Sequence, residues 1–179
     1  MMKKNPIEKK TRDIYHDIHT KQGDDKEIFS RLVQLLNPNY LKEKDDFFKG
    51  KVCLDAGCGS NANSTYSMLK HGAKKVYAFD LDETIFEKTP KYLKEFEGKY
   101  ELKVDNVLNM QYEDNFFDFV HCAGVLHHTT DLPAGIKELA RVTKEGGILV
   151  ITTYGKGGLV RELTSYLRDK YKTDNEFKN

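Results

Sequence analysis

Apolar residues recur along this chain in two rhythms. Short consecutive runs, such as Val52-Cys53-Leu54, Val76 to Phe79, Phe117 to Cys122 and Ile148 to Ile151, alternate with longer stretches whose apolar positions lie three or four apart. The first rhythm marks buried strands and the second marks helices with one apolar face. Strands are predicted at 51–55, 75–80, 100–105, 117–122 and 148–152. Helices are predicted at 60–69, closed near Gly72, and at 82–96, where Ile85, Phe86, Leu93 and Phe96 share a face, Pro90 kinks or restarts the helix and Gly98 stops it. A further helix opens near Asp131 with Pro133 in its first turn and Ile136, Leu139 and Ala140 facing inward, and Gly146-Gly147 ends the connection to the last strand.

Before the first strand, Ile28, Leu32 and Leu36 with Phe29 and Val33 predict a helix stopped by Asn37-Pro38. Residues 1–23 are polar, and the spacing of Ile14, Tyr15 and Ile18 permits a short helix there. A solvated arm and an active-site lid are equally good readings of that segment, which carries His16 and His19. After the fifth strand, Leu159, Val160, Leu163 and Leu167 predict a final helix. Lys156, Arg161 and Arg168 make part of its surface basic, which reads as a solvated face.

Five alternations of strand and helix define an α/β domain, a Rossmann-like, doubly wound, mostly parallel sheet with helices on both faces. The expected organisation is an arm or lid over residues 1–23 and a single domain over 24–179. Ligands of such sheets sit outside the carboxyl ends of the strands, where strand order reverses. Four of the predicted strand ends carry suitable residues: Asp55 with Gly57 and Gly59, then Asp80, then Asp105-Asn106, then Cys122-Ala123-Gly124. An aspartate after a strand is more often a turn former or helix cap, so the weight lies in their joint register.

Composition narrows the partners. The 179 residues carry 29 Lys+Arg against 28 Asp+Glu, a net charge of +1 that gives no field drawing nucleic acid or a membrane surface, so neither is expected. Three cysteines without a Cys-x-x-Cys pair argue for a reducing, cytoplasmic setting and against a disulfide framework or zinc knuckle. The basic N-terminus has no apolar stretch behind it, and nothing approaches the roughly 20 apolar residues of a membrane span, so a soluble chain is expected.

Asp80 follows Gly59 at about the 20-residue spacing at which an acidic side chain accepts the hydroxyls of a ribose. A cofactor containing a nucleoside is therefore expected. The run Gly57-x-Gly59-x-x-Ala62 also suits a nicotinamide dinucleotide, but Asp55, two residues ahead of the first glycine, would repel a pyrophosphate and attract an ammonium or sulfonium group.

With these features the chain resembles the class I S-adenosylmethionine-dependent methyltransferases. Leu54 to Ser60 is similar to their glycine-rich first motif, and Phe79-Asp80-Leu81-Asp82 to their ribose-binding second motif. Phe117 to His128 is similar to the fourth-strand motif, and Leu139 to Ile151 to the helix, glycine turn and strand that follow. The flavour is that of the small-molecule branch, such as the quinone-biosynthesis enzymes. The resemblance implies that Asp55, Ala56 and the Gly57-Cys58-Gly59 loop hold the methionine end of S-adenosylmethionine, that Asp80 with Leu81 holds the ribose, that Asp105, Asn106 and Val107 flank the adenine, and that Cys122 and Ala123 pass beside the methionine. The antiparallel strand pair that usually closes this fold is missing from the sequence pattern, which reads as a fragment, a short form, or a sheet edge completed by a partner or second copy.

Transfer of a methyl group to a small-molecule acceptor by direct displacement is the expected activity. His128, His127 and His16, with His19, are the candidate bases, since histidine titrates near neutrality; a loop or helix-cap role fits His127 and His128 as well. A metal site at His121 and Cys122 is rejected, because neighbours on a strand point to opposite faces. The alternatives are a non-catalytic cofactor-binding subunit and a nicotinamide-dependent oxidoreductase, with an RNA methyltransferase as a variant disfavoured by the near-zero charge.

Overall fold

A computed structural model describes residues 6–21 and 26–155, together with Tyr166 and Lys170. The helix expected from Leu159, Val160, Leu163 and Leu167, and the basic residues Lys156, Arg161 and Arg168, lie outside the described residues. In chain order the elements are α1 (Pro6–Lys21), α2 (Lys26–Val33), β1 (Val52–Ala56), α3 (Asn63–Lys70), β2 (Lys75–Asp80), α4 (Ile85–Tyr92), β3 (Tyr100–Val104), β4 (Phe117–Ala123), α5 (Leu132–Val142) and β5 (Thr143–Thr152). Single 3₁₀ turns follow α4 at Lys94–Phe96 and β4 at Leu126–His128.

The strands form one sheet in the order β3-β2-β1-β4-β5. Every pairing among them is parallel, where the sequence pattern promised only mostly parallel strands. Strand order reverses between β1 and β4, and that crevice is where a ligand of such a sheet belongs. Alternation along β1 sends Cys53 into one core, with Phe48, Met68, Ile85, Leu93 and Phe119, and Leu54 into the other, with Phe79, Val120, Leu126 and Leu139. The sheet is therefore covered on both faces, as parallel sheets require.

Three expectations are corrected by packing. Ile136 and Ala140 do not face inward: Ile136 is 39% exposed, while Gly135, Leu139 and Val142 are buried. The Asp131 carboxylate accepts the Ala134 N–H at 2.9 Å and sets the helical phase, and Gly135 is the point of closest approach, since a Cβ there would stand 2.6 Å from Leu126 Cδ2. An apolar count overlooks a glycine used this way. The stretch 82–96 is not one helix, because Pro90 lacks a backbone donor and α4 ends at Tyr92 before the 3₁₀ turn. Gly146-Gly147 does not precede the last strand but lies within it. Thr143 already pairs with Phe117, and a register shift intervenes before Ile148 pairs with Phe119. Gly146 has φ +73°, and a Cβ at Gly147 would meet the Lys144 carbonyl at 2.9 Å, so the glycines form an irregularity that only they can make.

Upstream, α2 stops at Val33, short of the predicted Leu36, whose side chain is buried all the same. The residue before a proline avoids helical angles, and Asn37 Oδ1 instead accepts the Tyr40 N–H at 2.9 Å in a turn. β5 is the last strand among the described residues, and no helix among them is long and apolar enough to cross a membrane.

Candidate active site

The strand ends converge on a cavity at the β1/β4 crevice. Its floor begins with the loop after β1, which is pinned by main-chain contacts. Gly57 N–H and Cys58 N–H both donate to the Phe79 carbonyl, at 2.8 and 2.9 Å. Gly57 has φ +79°, and a Cβ there would stand 2.2 Å from Val125 Cγ2, so no side chain fits. Gly59 N–H donates to Asp80 Oδ2 at 3.0 Å, and Asp82 N–H to Asp80 Oδ1 at 3.1 Å. The Asp80 side chain also lines the cavity.

The apolar lining comes from Phe79, Leu81, Val107 and Leu108, at and after β2 and β3, and from Ala123 and Val125 at the end of β4. Asp105 and Asn106 supply polar edges but are partly engaged in shaping their own loop. Asp105 accepts the Asn106 and Gln111 N–H groups at 2.8 and 3.3 Å and pairs with Lys103 at 3.0 Å, while Asn106 Oδ1 accepts Leu108 N–H at 2.9 Å. An apolar slot ending in a carboxylate suits a nucleoside, with the base in the slot and ribose hydroxyls on Asp80.

The roof is α1. Thr11, Arg12 and Tyr15, one face of that helix, line the cavity from above. Thr11 Oγ1 donates to the His128 carbonyl at 3.4 Å, and Tyr15 Oη lies 2.5 Å from His128 Nε2. Burial raises the Tyr15 pKa above its usual 10, with the charges of Tyr154 and Asp80 adding to it. Burial first and His127 second hold the His128 pKa below 6.5. The stable arrangement at neutral pH is thus a phenol O–H donating to a neutral imidazole. His127 is wedged between His128 and Tyr154, with ring centroids 4.0 and 4.1 Å away, and its pKa is likewise lowered by burial.

Several predicted site residues are not in this wall. Asp55 is 2% exposed, and its Oδ2 accepts both the N–H and the hydroxyl of Thr65, at 2.9 and 2.7 Å. It caps the first turn of α3, satisfying a donor that Ala62 leaves open, and His121 Nδ1 lies 3.4 Å from its other oxygen. Ala56 and Cys122 belong to the core, because alternation turns every second side chain of a strand end inward. Cys58 is buried as well, and burial pushes its thiol well above the usual range and that of Cys122 to about 12, so neither is a nucleophile. His16 does not line the cavity either: its Nδ1 meets Asp82 Oδ1 at 3.1 Å beside it. The His19 side chain lies outside the described residues.

Asp55, Cys58 and His121 instead line a second cavity with Leu32, Leu36, Tyr40 and Asn63, which meets the first at Gly57 and Ala123. Asn63 Oδ1 is buried there without a partner among the described residues. The sequence reading gave no site role to Thr11 or Tyr15, and named Val125 and Asp82 only inside longer motifs. The i, i+4 pair Thr11 and Tyr15, and a second aspartate two positions after Asp80, are the signals that mark them.

Residues 54–151, more than half of the chain, match the methyltransferase domain family. The chain belongs to the S-adenosylmethionine-dependent methyltransferases. Among curated relatives of this chain, the ubiquinone biosynthesis O-methyltransferase of Coxiella burnetii is 29% identical over 126 residues, 69% of this chain and 53% of that protein. Phosphoethanolamine N-methyltransferase 2 of Caenorhabditis elegans is 28% identical over 122 residues, 68% of this chain and 28% of that protein. The chain thus spans about half the length, or less, of these relatives. In fold it is similar to the N-methyltransferase NodS of Bradyrhizobium japonicum, solved with S-adenosyl-L-homocysteine, at a TM-score of 0.63 and 18% identity, covering 79% of this chain and 71% of that one.

Proposed function

We propose that this chain binds S-adenosylmethionine in the crevice between β1 and β4 and transfers its methyl group by direct displacement to the oxygen or nitrogen of a small-molecule acceptor. The observation that carries the reading is the cavity itself, whose lining brings together the Asp80 carboxylate, the Tyr15–His128 pair and a set of apolar side chains. When bound, the cofactor supplies a methyl carbon already activated by its sulfonium. The adenosine fits the slot with its ribose on Asp80, and the methionine end passes Gly57 and Ala123 towards the second cavity, where Asp55, His121 and Asn63 cluster.

What the chain adds is orientation and proton handling. Fixing an acceptor in line with the methyl contributes roughly 7–11 kcal/mol in well-aligned systems. Tyr15 Oη takes the proton that the acceptor atom loses while its own passes to the neutral His128 Nε2, a step worth about 10²–10⁴ in rate. The relatives act, by name, as an O- and an N-methyltransferase, which supports an acceptor atom of this kind. His127 packs against the ring of His128 at a tilt of 54° and is a positioning residue.

The nicotinamide alternative is disfavoured for a reason other than the one the sequence suggested. A dinucleotide pyrophosphate binds at the helix N-terminus after the first strand, and here Asp55 already occupies a donor of that first turn. Titration calorimetry decides: S-adenosylmethionine and its demethylated product bind with one site per chain, and nicotinamide dinucleotides do not. Absence of heat with both sulfur ligands sinks the reading. Incubation with labelled S-adenosylmethionine and cell extract, followed by mass analysis, then identifies the acceptor.

A further inference from the structure

Helix α1 reaches the cavity with Tyr15, yet what seats it on the far side of that residue is a buried carboxylate outside the cavity. Asp82 is 2% exposed, and its Oδ2 accepts the Thr84 hydroxyl at 2.7 Å while Oδ1 accepts the Thr84 N–H at 3.2 Å. His16 Nδ1 approaches the same Oδ1 at 3.1 Å. The Asp82 main chain, in turn, donates to Asp80, the carboxylate assigned to the ribose. One unbroken set of contacts therefore runs from Asp80 through Asp82 and His16 to the turn of α1 that carries Tyr15, and from Tyr15 to His128.

We infer that His16 is a positioning residue: as a cation paired with Asp82, it seats α1 over the cofactor cavity and brings Tyr15 onto His128, so that closure of the site depends on the protonation of His16. This rests on the methyltransferase reading for its consequence, but not for its geometry. The alternative, that the pair is an ordinary surface contact, sits poorly with the burial of Asp82. Burying a carboxylate opposes its charge, yet the His16 and Thr84 hydrogen bonds hold its pKa below the usual range. A buried carboxylate kept ionised favours a cation against it.

The charged groups facing His16 point the same way. Asp82, from the segment after β2, raises its pKa above 6.5 first by hydrogen bonding and then by charge, Asp17 on the same helix adds to this, and burial and Arg12 oppose it. Lys88 of α4 holds the other end of the helix by donating to the Thr20 carbonyl at 3.5 Å. The pKa of His16 is thus higher with α1 seated than with α1 swung away. The contribution to closure is fully present below the ordinary histidine pKa and is lost as pH rises through the raised value. Because Thr11, Arg12 and Tyr15 line the cavity, movement of α1 widens the route by which a cofactor enters or leaves.

Two readouts on the full chain separate this inference from the reading it rests on. Hydrogen–deuterium exchange of the α1 amides, compared between wild type and His16→Gln at pH 6.5 and again at 8.5, needs no cofactor. The expected result is exchange roughly two- to fivefold faster in His16→Gln at pH 6.5, the range of an ion pair whose histidine is half-exposed, with the two proteins converging at pH 8.5. Equal exchange at both pH values overturns the inference. Asp82→Asn, which keeps the Thr84 contacts available, must reproduce the effect at pH 6.5, and wild-type exchange in that variant also overturns it. The second readout is the dissociation rate of S-adenosylhomocysteine, which should rise in His16→Gln by the same factor and lose its pH dependence. If the exchange difference is present but S-adenosylhomocysteine does not bind, the seat stands and the cofactor reading falls.

Discussion

The floor and the roof of the cavity are built differently. The floor is held chiefly by main chain: Gly57 and Cys58 donate to the Phe79 carbonyl, Gly59 N–H is held by the Asp80 carboxylate, and the strands beneath are paired along their length. The roof is a polar helix held by side chains, Tyr15 on His128 and His16 on Asp82. Main-chain hydrogen bonds inside a sheet open only with the whole domain, whereas a surface helix on a few polar contacts opens locally. The cofactor end of this site is therefore expected to be pre-formed, and the acceptor end to be assembled as α1 closes. This division suits an enzyme that must hold one ligand tightly and exchange it in every turnover.

Substitutions should separate the two parts. The largest effect is expected for Gly57→Val, which forces a branched side chain onto Val125 at φ +79°. S-adenosylhomocysteine binding should fall below detection in calorimetry, and the thermal midpoint should fall as well. His128→Asn should lower kcat by about 10²–10⁴ while leaving cofactor affinity within a fewfold of wild type. Equal losses of rate and affinity would merge roof and floor into one unit. Asp80→Ala should weaken S-adenosylhomocysteine by about ten- to a hundredfold, as expected for removing a charged hydrogen-bonding partner. Tyr15→Phe keeps the ring and should leave affinity nearly unchanged while reducing kcat.

The smallest effect is in pH. Since burial lowers the His128 pKa, the rate should fall on acidification through a value below 6.5, and that acidic limb should vanish in His128→Asn. His16 titrates in the opposite sense, so closure weakens as pH rises through its raised pKa. The pH–rate profile of the wild type should then be a bell whose alkaline limb alone is removed by His16→Gln.

The contrast also explains what could be read from the chain. The β2 bounds at Lys75 and Asp80, the glycine turn and the cavity position of Asp80 follow from rules that act over a few residues: alternation, turn chemistry and strand-end register. For Asp55 the helix-cap reading was open in the sequence and was set aside for a place at the methionine end, yet the carboxylate caps α3 at Thr65. Its role depends on α3 starting at Asn63 with no capping side chain at Ala62, and on which sheet face the cavity opens. The inward side of α5 was misread at Ile136 because a glycine, invisible to any apolar count, makes the contact with Leu126. The roof was least legible. The pairing of Tyr15 with His128 joins residues 113 positions apart, and no local pattern encodes it.

The central claim is that Asp80 and the apolar slot between Leu81 and Val107 hold the adenosine of S-adenosylmethionine beneath α1. A crystal structure of the chain with S-adenosylhomocysteine tests it most directly. The account predicts ribose hydroxyls within hydrogen-bonding distance of the Asp80 carboxylate, the purine between Leu81 and Val107, and Tyr15 still on His128. A ribose bound away from Asp80, or a purine outside that slot, would contradict it.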